Sequence, residues 1–252
     1  DEDAHAVGIS PTAHRAFLAA FFRGDFDGSY ATGASFSSNP DSGDERTCGS
    51  AAALAGVSSA RAAGDDAALD LAMRRLELLY GVLFGFGGIP LIYMGDEVAL
   101  DSDLSYLADP SLADDSRWMH RPFMPWSVAA RRSTEGTVEH RMFGFMQHLI
   151  DARRGAAAMS AGGDTTIHRL PDSALFAWSR QHPRHGRFFA VANFSSRWAY
   201  APTATLEHDG FVQPRLLWAN GETSVDGDAI HLGPHSLVWF VDDADGPLQP
   251  PV

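Results

Sequence analysis

The sequence predicts an α/β region followed by an all-β region, the change falling near residue 157. Two observations carry that reading. Up to Arg154, long stretches with helical apolar spacing flank one short apolar strand, Ile89 to Met94. From Ala157 onward, short runs rich in Val, Phe and Trp recur, separated by turn dipeptides.

Ser10-Pro11 is a helix entry, a capping hydroxyl followed by proline at the first helical position. Ala13, Phe17, Ala20 and Phe21 then form one apolar stripe. From Arg23 to Gly49 the text is rich in Gly, Ser, Asp and Asn and lacks periodicity, which reads as a long ordered loop of functional type. A second helix is expected from about Asp66 to Phe84, ending apolar all round and therefore deeply buried. Ile89-Pro90-Leu91-Ile92-Tyr93-Met94 reads as a strand buried on both faces, stopping at Gly95-Asp96-Glu97. A polar loop to about Arg132 and a third helix from Val138 to Arg154 follow. Helix, strand, polar loop and helix is the grammar of an α/β barrel, whose sites lie at the C-terminal ends of strands.

The all-β part is expected to use Leu175 to Ser179, Phe188 to Phe194, Phe211 to Trp218, Ile230 to Leu232 and Leu237 to Val241. His185-Gly186, Asn220-Gly221 and Asp226-Gly227 supply the turns. An antiparallel β-sandwich over residues 157–252 follows, with residues 1–156 forming the α/β part.

A net charge of -13 argues against nucleic acid as the main partner, because phosphate contacts need a basic face. All 19 basic residues are arginine, so a P-loop or Schiff-base lysine is absent. With Cys48 alone there is no intrachain disulfide or cysteine metal cluster, which fits a reducing cytoplasm and leaves secretion open. Glycines and Pro90 interrupt the most apolar stretch, Leu78 to Met94, so no membrane span is expected. The eleven histidines lack ligand spacing, and the Asp-rich loop at Asn39 to Arg46 does not match an EF-hand, so no metal or other cofactor is expected.

Two loops are candidates to carry chemistry. Asp114-Asp115-Ser116-Arg117-Trp118 with His120-Arg121-Pro122 places an arginine among carboxylates, a fork suited to hydroxyl pairs on a sugar, or else a solvated loop of surface ion pairs. Asn39 to Arg46 is equally rich in hydrogen-bonding groups, though turn chemistry explains most of it. Asp96-Glu97 invites a two-carboxylate reading, but adjacent side chains at a strand end diverge and more readily cap it. His14 and His120 are each open to a ligand or a core role.

Read together, these segments resemble amylosucrases, the sucrose-using branch of the α-amylase superfamily (glycoside hydrolase family 13). The matching residues are Gly8-Ile9-Ser10, His14-Arg15-x-Phe17-Leu18, Phe26-Asp27-Gly28-Ser29, Asn39-Pro40-x-Ser42-Gly43-Asp44-x-Arg46 and Ala51-Ala52-Ala53-Leu54. Gly88 to Glu97 and Asp114-Asp115-Ser116-Arg117-Trp118-x-His120-Arg121-Pro122 complete the set, which covers about residues 1–122. The segment ending in Gly-Asp-Glu is widespread in the superfamily. The two arginine loops, in this order and spacing, are specific to the branch.

The resemblance implies the C-terminal portion of a (β/α)8 barrel (loop 7, helix 7, strand 8, loop 8, helix 8) followed by a β-domain. It implies a parent enzyme that cleaves sucrose with retention, releases fructose and transfers glucose to an α-1,4-glucan. In the family the nucleophile, the acid/base and the stabilising aspartate all precede the position matched by Asp1, so no catalytic carboxylate is expected in this chain and it should be inactive alone. Arg117 matches the arginine holding the glucosyl ring in the donor subsite. Arg46 matches an arginine at the fructosyl or first acceptor subsite, and Arg15 and Phe17 match positions lining more distant acceptor subsites. Sucrose, the glucan and the N-terminal remainder of the enzyme are the expected partners. One strand cannot close a barrel, so Ile89 to Met94 and the apolar end of the second helix should lie bare without that remainder.

Three alternatives stand beside this reading. A sucrose hydrolase would share both arginine loops, whereas the motifs lean away from trehalose synthases and ordinary α-glucosidases, in which both loops are not expected. A non-catalytic carbohydrate-binding module would bind through Trp178, Trp198, Trp218 or Trp239. An interaction protein would keep the fold after losing the chemistry, against which the retained Arg46 and Arg117 argue.

Overall fold

The computed structural model describes residues 1–39, 41 and 44–242. Pro40, Ser42 and Gly43 of the first arginine loop lie outside the described residues, as do residues 243–252 of the β-region. The chain forms two compact units, Asp1–Met73 with Tyr93–Phe143, and Arg74–Ile92 with Gly144–Val252.

The first unit opens with α1 (Glu2–Ala6) and α2 (Pro11–Arg23). Ser10 caps α2 as expected, its Oγ accepting from Ala13 N at 3.3 Å with Pro11 next in line. The stretch read as an unpatterned loop contains a small ladder, β1 (Ala34–Phe36) against β2 (Arg46–Cys48). Strands of three residues are too short for a period-2 pattern to show, which is why sequence periodicity passes over them. Two short alanine-rich helices follow, α3 (Ala51–Ala55) and α4 (Val57–Ala63). Gly56, at φ 101°, ends one and begins the other, a backbone state that a side chain would strain.

Helix α5 (Asp66–Gly85) matches its expected span, and after α6 (Trp126–Ala130) so does α7 (Val138–Arg154). The end of α5 is only half buried, however. Leu78 and Phe84 are inside, while Leu79 and Leu83 face outward.

The segment expected as a doubly buried strand is a clear correction. Residues 89–92 carry no strand pairing, Ile89 is 98% exposed and Leu91 76%. A parallel strand exists only through ladder bonds to neighbours, and the described residues supply none. The bare apolar surface expected without a closed barrel is therefore present at Ile89, Leu91, Leu79 and Leu83.

The second unit contains the β-region: β3 (Asp164–His168), β4 (Leu175–His182), β5 (Gly186–Asn193), β6 (Ala199–Pro202), α8 (Ala204–His208), β7 (Pro214–Asn220), β8 (Thr223–Asp226), β9 (Ala229–Leu232) and β10 (Leu237–Asp242). A five-stranded sheet runs β3-β4-β5-β10-β7 and a three-stranded sheet β6-β9-β8, with every pairing antiparallel. Leu175, Ala177, Phe189, Val191, Val238 and Phe240 from the first sheet meet Ala199, Ala201, Ile230 and Leu232 from the second. That alternation makes the expected sandwich core. Strands β3, β6 and β8 are additions to the expected set. Their burial is too slight to leave an apolar run, as the mostly exposed Asp164–His168 shows.

The opposite face of the larger sheet carries Trp178, Phe188 and Trp239, all fully buried. They lie against the C-terminal half of α5, where a Cβ on Gly85 would come within 2.9 Å of Trp239 Nε1 and 3.1 Å of Trp178. Trp178 Nε1 donates to Gly85 O at 2.7 Å. The compact units therefore cut through α5 and α7 rather than following the 156/157 change from helix to strand. The glycines of α5, read as breaks in an apolar run, are the places where tryptophan rings approach the helix.

Candidate functional site

The site is built in the first unit from β1, β2 and a single helical turn at Ser116–His120. Asp115 caps that turn, its Oδ1 accepting from Arg117 N at 3.0 Å. The same carboxylate takes the guanidinium in a fork, Nε to Oδ1 at 2.8 Å and Nη2 to Oδ2 at 2.7 Å. The hydrogen bond from the Arg117 side chain holds the Asp115 carboxyl down at about 2, and Asp115 in turn raises Arg117 above its ordinary value. Of the two adjacent aspartates, Asp115 is thus the one that orients Arg117.

The guanidinium lies over the ring of Phe36, 4.9 Å from its centre. Phe36 is the cross-strand partner of Arg46, so their Cβ atoms share one face of the ladder. Arg46 thus occupies the strand position opposite the ring that Arg117 covers, 71 residues away in sequence. Below them, Ser116 Oγ donates to Ser35 O at 2.6 Å. Cys48 Sγ donates to Ser116 O at 3.3 Å and packs with Tyr106 and Met119 in a small buried cluster. The single cysteine is structural here, a clamp between β2 and the turn carrying Arg117.

Arg46 itself is exposed, and its loop is held from α2. Arg15 Nε bonds Asp44 Oδ1 at 3.0 Å, and Arg15 Nη1 bonds Asp1 at 2.6 Å. Arg23 pairs with Glu45, whose carboxyl is lowered first by the Ser35 hydroxyl and then by Arg23. Arg15 thus reaches the site through Asp44, two residues before Arg46. Phe17 lies apart, in an aromatic cluster, edge-on to Phe26 at 4.9 Å and tilted against Phe21 at 5.8 Å, with 39% of its surface exposed.

A cavity of about 280 Å³ opens beside the arginine turn, lined by Ser50, Tyr93, Asp96, Asp101, His120 and neighbouring backbone. None of the four predicted residues lines it. Burial lowers the His120 imidazole from its ordinary value, helped by Arg121, and its Nδ1 is enclosed with no hydrogen-bond partner among the described residues. Glu97 caps its own backbone, accepting from Gly95 N at 2.8 Å, which matches the capping reading of that pair. Ser50 and Asp101 carried no functional signal in the sequence. Ser50 shows itself only as a helix cap before three alanines, and Asp101 is held by the Ser58 hydroxyl. The ensemble offers carboxylates, hydroxyls, a neutral imidazole and two arginines, groups that hold sugar hydroxyls. Among the described residues no three metal-ligating side chains cluster, and no helix is long and apolar enough to cross a membrane.

No protein-family model matches the chain. Over 193 residues the sequence is 26% identical to the trehalose synthase of Thermus thermophilus, a match covering 66% of this chain and 19% of that protein. In structure it is similar to a mutant of the trehalulose synthase MutB, with a TM-score of 0.50 at 16% identity, covering 67% of this chain and 38% of the other. It is also similar to Amy13B of Eubacterium rectale, with a TM-score of 0.54 at 11% identity, covering 77% and 37%. The match thus spans 19% of that curated relative's length. These likenesses bear out the expected fold class, the C-terminal portion of a (β/α)8 barrel followed by antiparallel sheets.

Proposed function

We propose that this chain is part of a retaining, sucrose-cleaving glucosyltransferase of the α-amylase family that moves glucose from sucrose to an α-1,4-glucan and releases fructose. The observation that carries the proposal is the Arg117 guanidinium, forked on Asp115 and laid over Phe36. A guanidinium fixed in that way keeps further N–H groups aimed outward, suited to a pair of sugar hydroxyls. Arg46, on the same face of the ladder as Phe36, would contact the departing fructosyl unit or the first acceptor sugar. Arg15 and Phe17 would line the path of the glucan. The sequence similarity to a trehalose synthase supports a carbohydrate-active parent.

In this reading the nucleophile and the acid/base come from the N-terminal remainder of the enzyme. The nucleophile attacks the anomeric carbon while the acid protonates the leaving fructosyl oxygen. The glucan 4-hydroxyl then takes the glucosyl group, with net retention. This chain's part is to bind and orient. Sucrose carries its own activation in its glycosidic bond, so the reaction draws on no nucleotide. The test is Arg117→Ala in the intact parent, following fructose and glucose separately. Loss of sucrose turnover upholds the donor assignment, and near-normal turnover removes it. Equal release of the two sugars by the unaltered parent would make it a sucrose hydrolase instead.

A further inference from the structure

The four tryptophans of the β-region divide sharply. Trp178 and Trp239 are fully buried, and Trp218 lies 4.8 Å from Trp239, ring to ring. Trp218 is half-buried against that core, which leaves Trp198, with 44% of its surface in solvent, as the exposed one of the four. It stands immediately before β6, and burial alternates strictly from it: Trp198, Tyr200 and Pro202 point outward while Ala199 and Ala201 point into the core. Tyr200 is 54% exposed. Its neighbour across the ladder, His231, sets its ring perpendicular at 4.9 Å and fixes the tyrosine's orientation.

The segment that presents Trp198 is held rigidly. Asn193 is fully buried, and its Nδ2 donates to the carbonyls of Arg197, Leu232 and Gly233 at 2.7, 3.1 and 2.8 Å. Its Oδ1 accepts from Ser195 N and Ser195 Oγ. On the outside, Arg197 Nη2 bonds Asp172 at 2.7 Å. Trp198 is therefore set in place before any ligand arrives, which removes the ordering cost of binding.

The outward row continues through His231 to Ser224, and from Pro202 through Ala229 to Asp226. That face carries aromatic rings bordered by a hydroxyl, an imidazole and a carboxylate. None of these paired positions is an arginine, and Arg197 beside Trp198 is paired with Asp172, which disfavours an anionic ligand; none is Leu, Ile, Val, Met or Phe, which disfavours an apolar protein surface. Rings with polar edges match a neutral polyhydroxylated chain, whose sugar faces stack while its hydroxyls take hydrogen bonds. We infer that the outer face of the β6-β9-β8 sheet, at Trp198, Tyr200 and His231, is a glucan-binding surface, apart from the arginine site of the first unit. The choice of α-glucan among neutral polysaccharides rests on the proposed function.

The test is affinity electrophoresis of the full chain through gels with and without glycogen. Glycogen should slow the chain, and Trp198→Ala and Tyr200→Ala should each restore most of the mobility, a several-fold rise in dissociation constant. Trp198→Phe should keep part of the retardation, and Val212→Ala, exposed away from this face, should change nothing. No slowing by glycogen, or equal slowing in the Trp198→Ala/Tyr200→Ala double variant, overturns the inference. Fructose release by the intact enzyme is read separately. Glycogen retention without sucrose cleavage keeps this surface and sinks the proposed reaction, and the opposite pattern does the reverse.

Discussion

Arg117 and Phe36 meet at 4.9 Å, guanidinium over ring, across a turn and a strand that the sequence separates by some eighty residues. The arrangement depends on Asp115, which accepts both a backbone and two side-chain bonds from Arg117. Asp115→Asn keeps the shape but supplies only one acceptor oxygen and no charge. In the intact parent this variant should lose about tenfold or more in kcat/KM for sucrose, the scale of one charged hydrogen bond. Steady-state kinetics checks it, and an unchanged value would mean that Arg117 needs no orienting partner.

The same pair has a pH signature. Asp115 is depressed from 3.8 to about 2, mainly by the Arg117 hydrogen bond. A carboxyl lowered in the folded state contributes stability above its unfolded value and loses it as pH falls through the folded one. The fork should therefore survive to about pH 3.8 and release toward pH 2. Following the Asp115 side-chain carbonyl by NMR titration reads this directly, and a midpoint near 3.8 would contradict the fork.

His120 moves stability in the same sense, through burial rather than an ion pair. Burial lowers its imidazole, so the unfolded chain takes up the proton first as pH drops through 6.5. Stability should fall below pH 6.5 and level off once the folded form also protonates. Denaturant melts of the native chain and of His120→Gln, compared at pH 7.5 and 5.5, should show a smaller pH loss in the variant.

Helix α5 meets the larger sheet at two glycines. A Cβ on Gly81 would clash with Leu237 Cδ2 and stand 3.3 Å from Trp218. Gly81→Val should cost about 1–3 kcal/mol through overpacking. Trp178→Phe removes the buried bond to Gly85 O and should cost about 1 kcal/mol, plus lost packing. Urea unfolding of each variant gives the difference.

Ile89 and Leu91, at 98% and 76% exposure, predict that the chain alone binds an apolar dye. Ile89→Ser/Leu91→Ser should reduce that fluorescence. No dye binding by the native chain would show that this surface is covered.

The long helices were legible from sequence because burial on one face imposes a 3.6-residue period, and Asp66–Gly85 and Val138–Arg154 fall where that period places them. The core strands β4, β5 and β10 were legible because buried strands concentrate Val, Phe and Trp. The arginine loops stood out as dense charged text, Arg117 most plainly. Tertiary structure alone decided the rest. Which of Asp114 and Asp115 holds Arg117 depends on the turn's backbone, and the placing of Arg46 opposite Phe36 depends on a three-residue ladder. Ile89 to Met94 has the composition of a strand, but a strand is a relation between segments, and its ladder cannot form from one of them. Composition is a property of each segment by itself, whereas partnership, exposure and orientation belong to the set of segments that fold together.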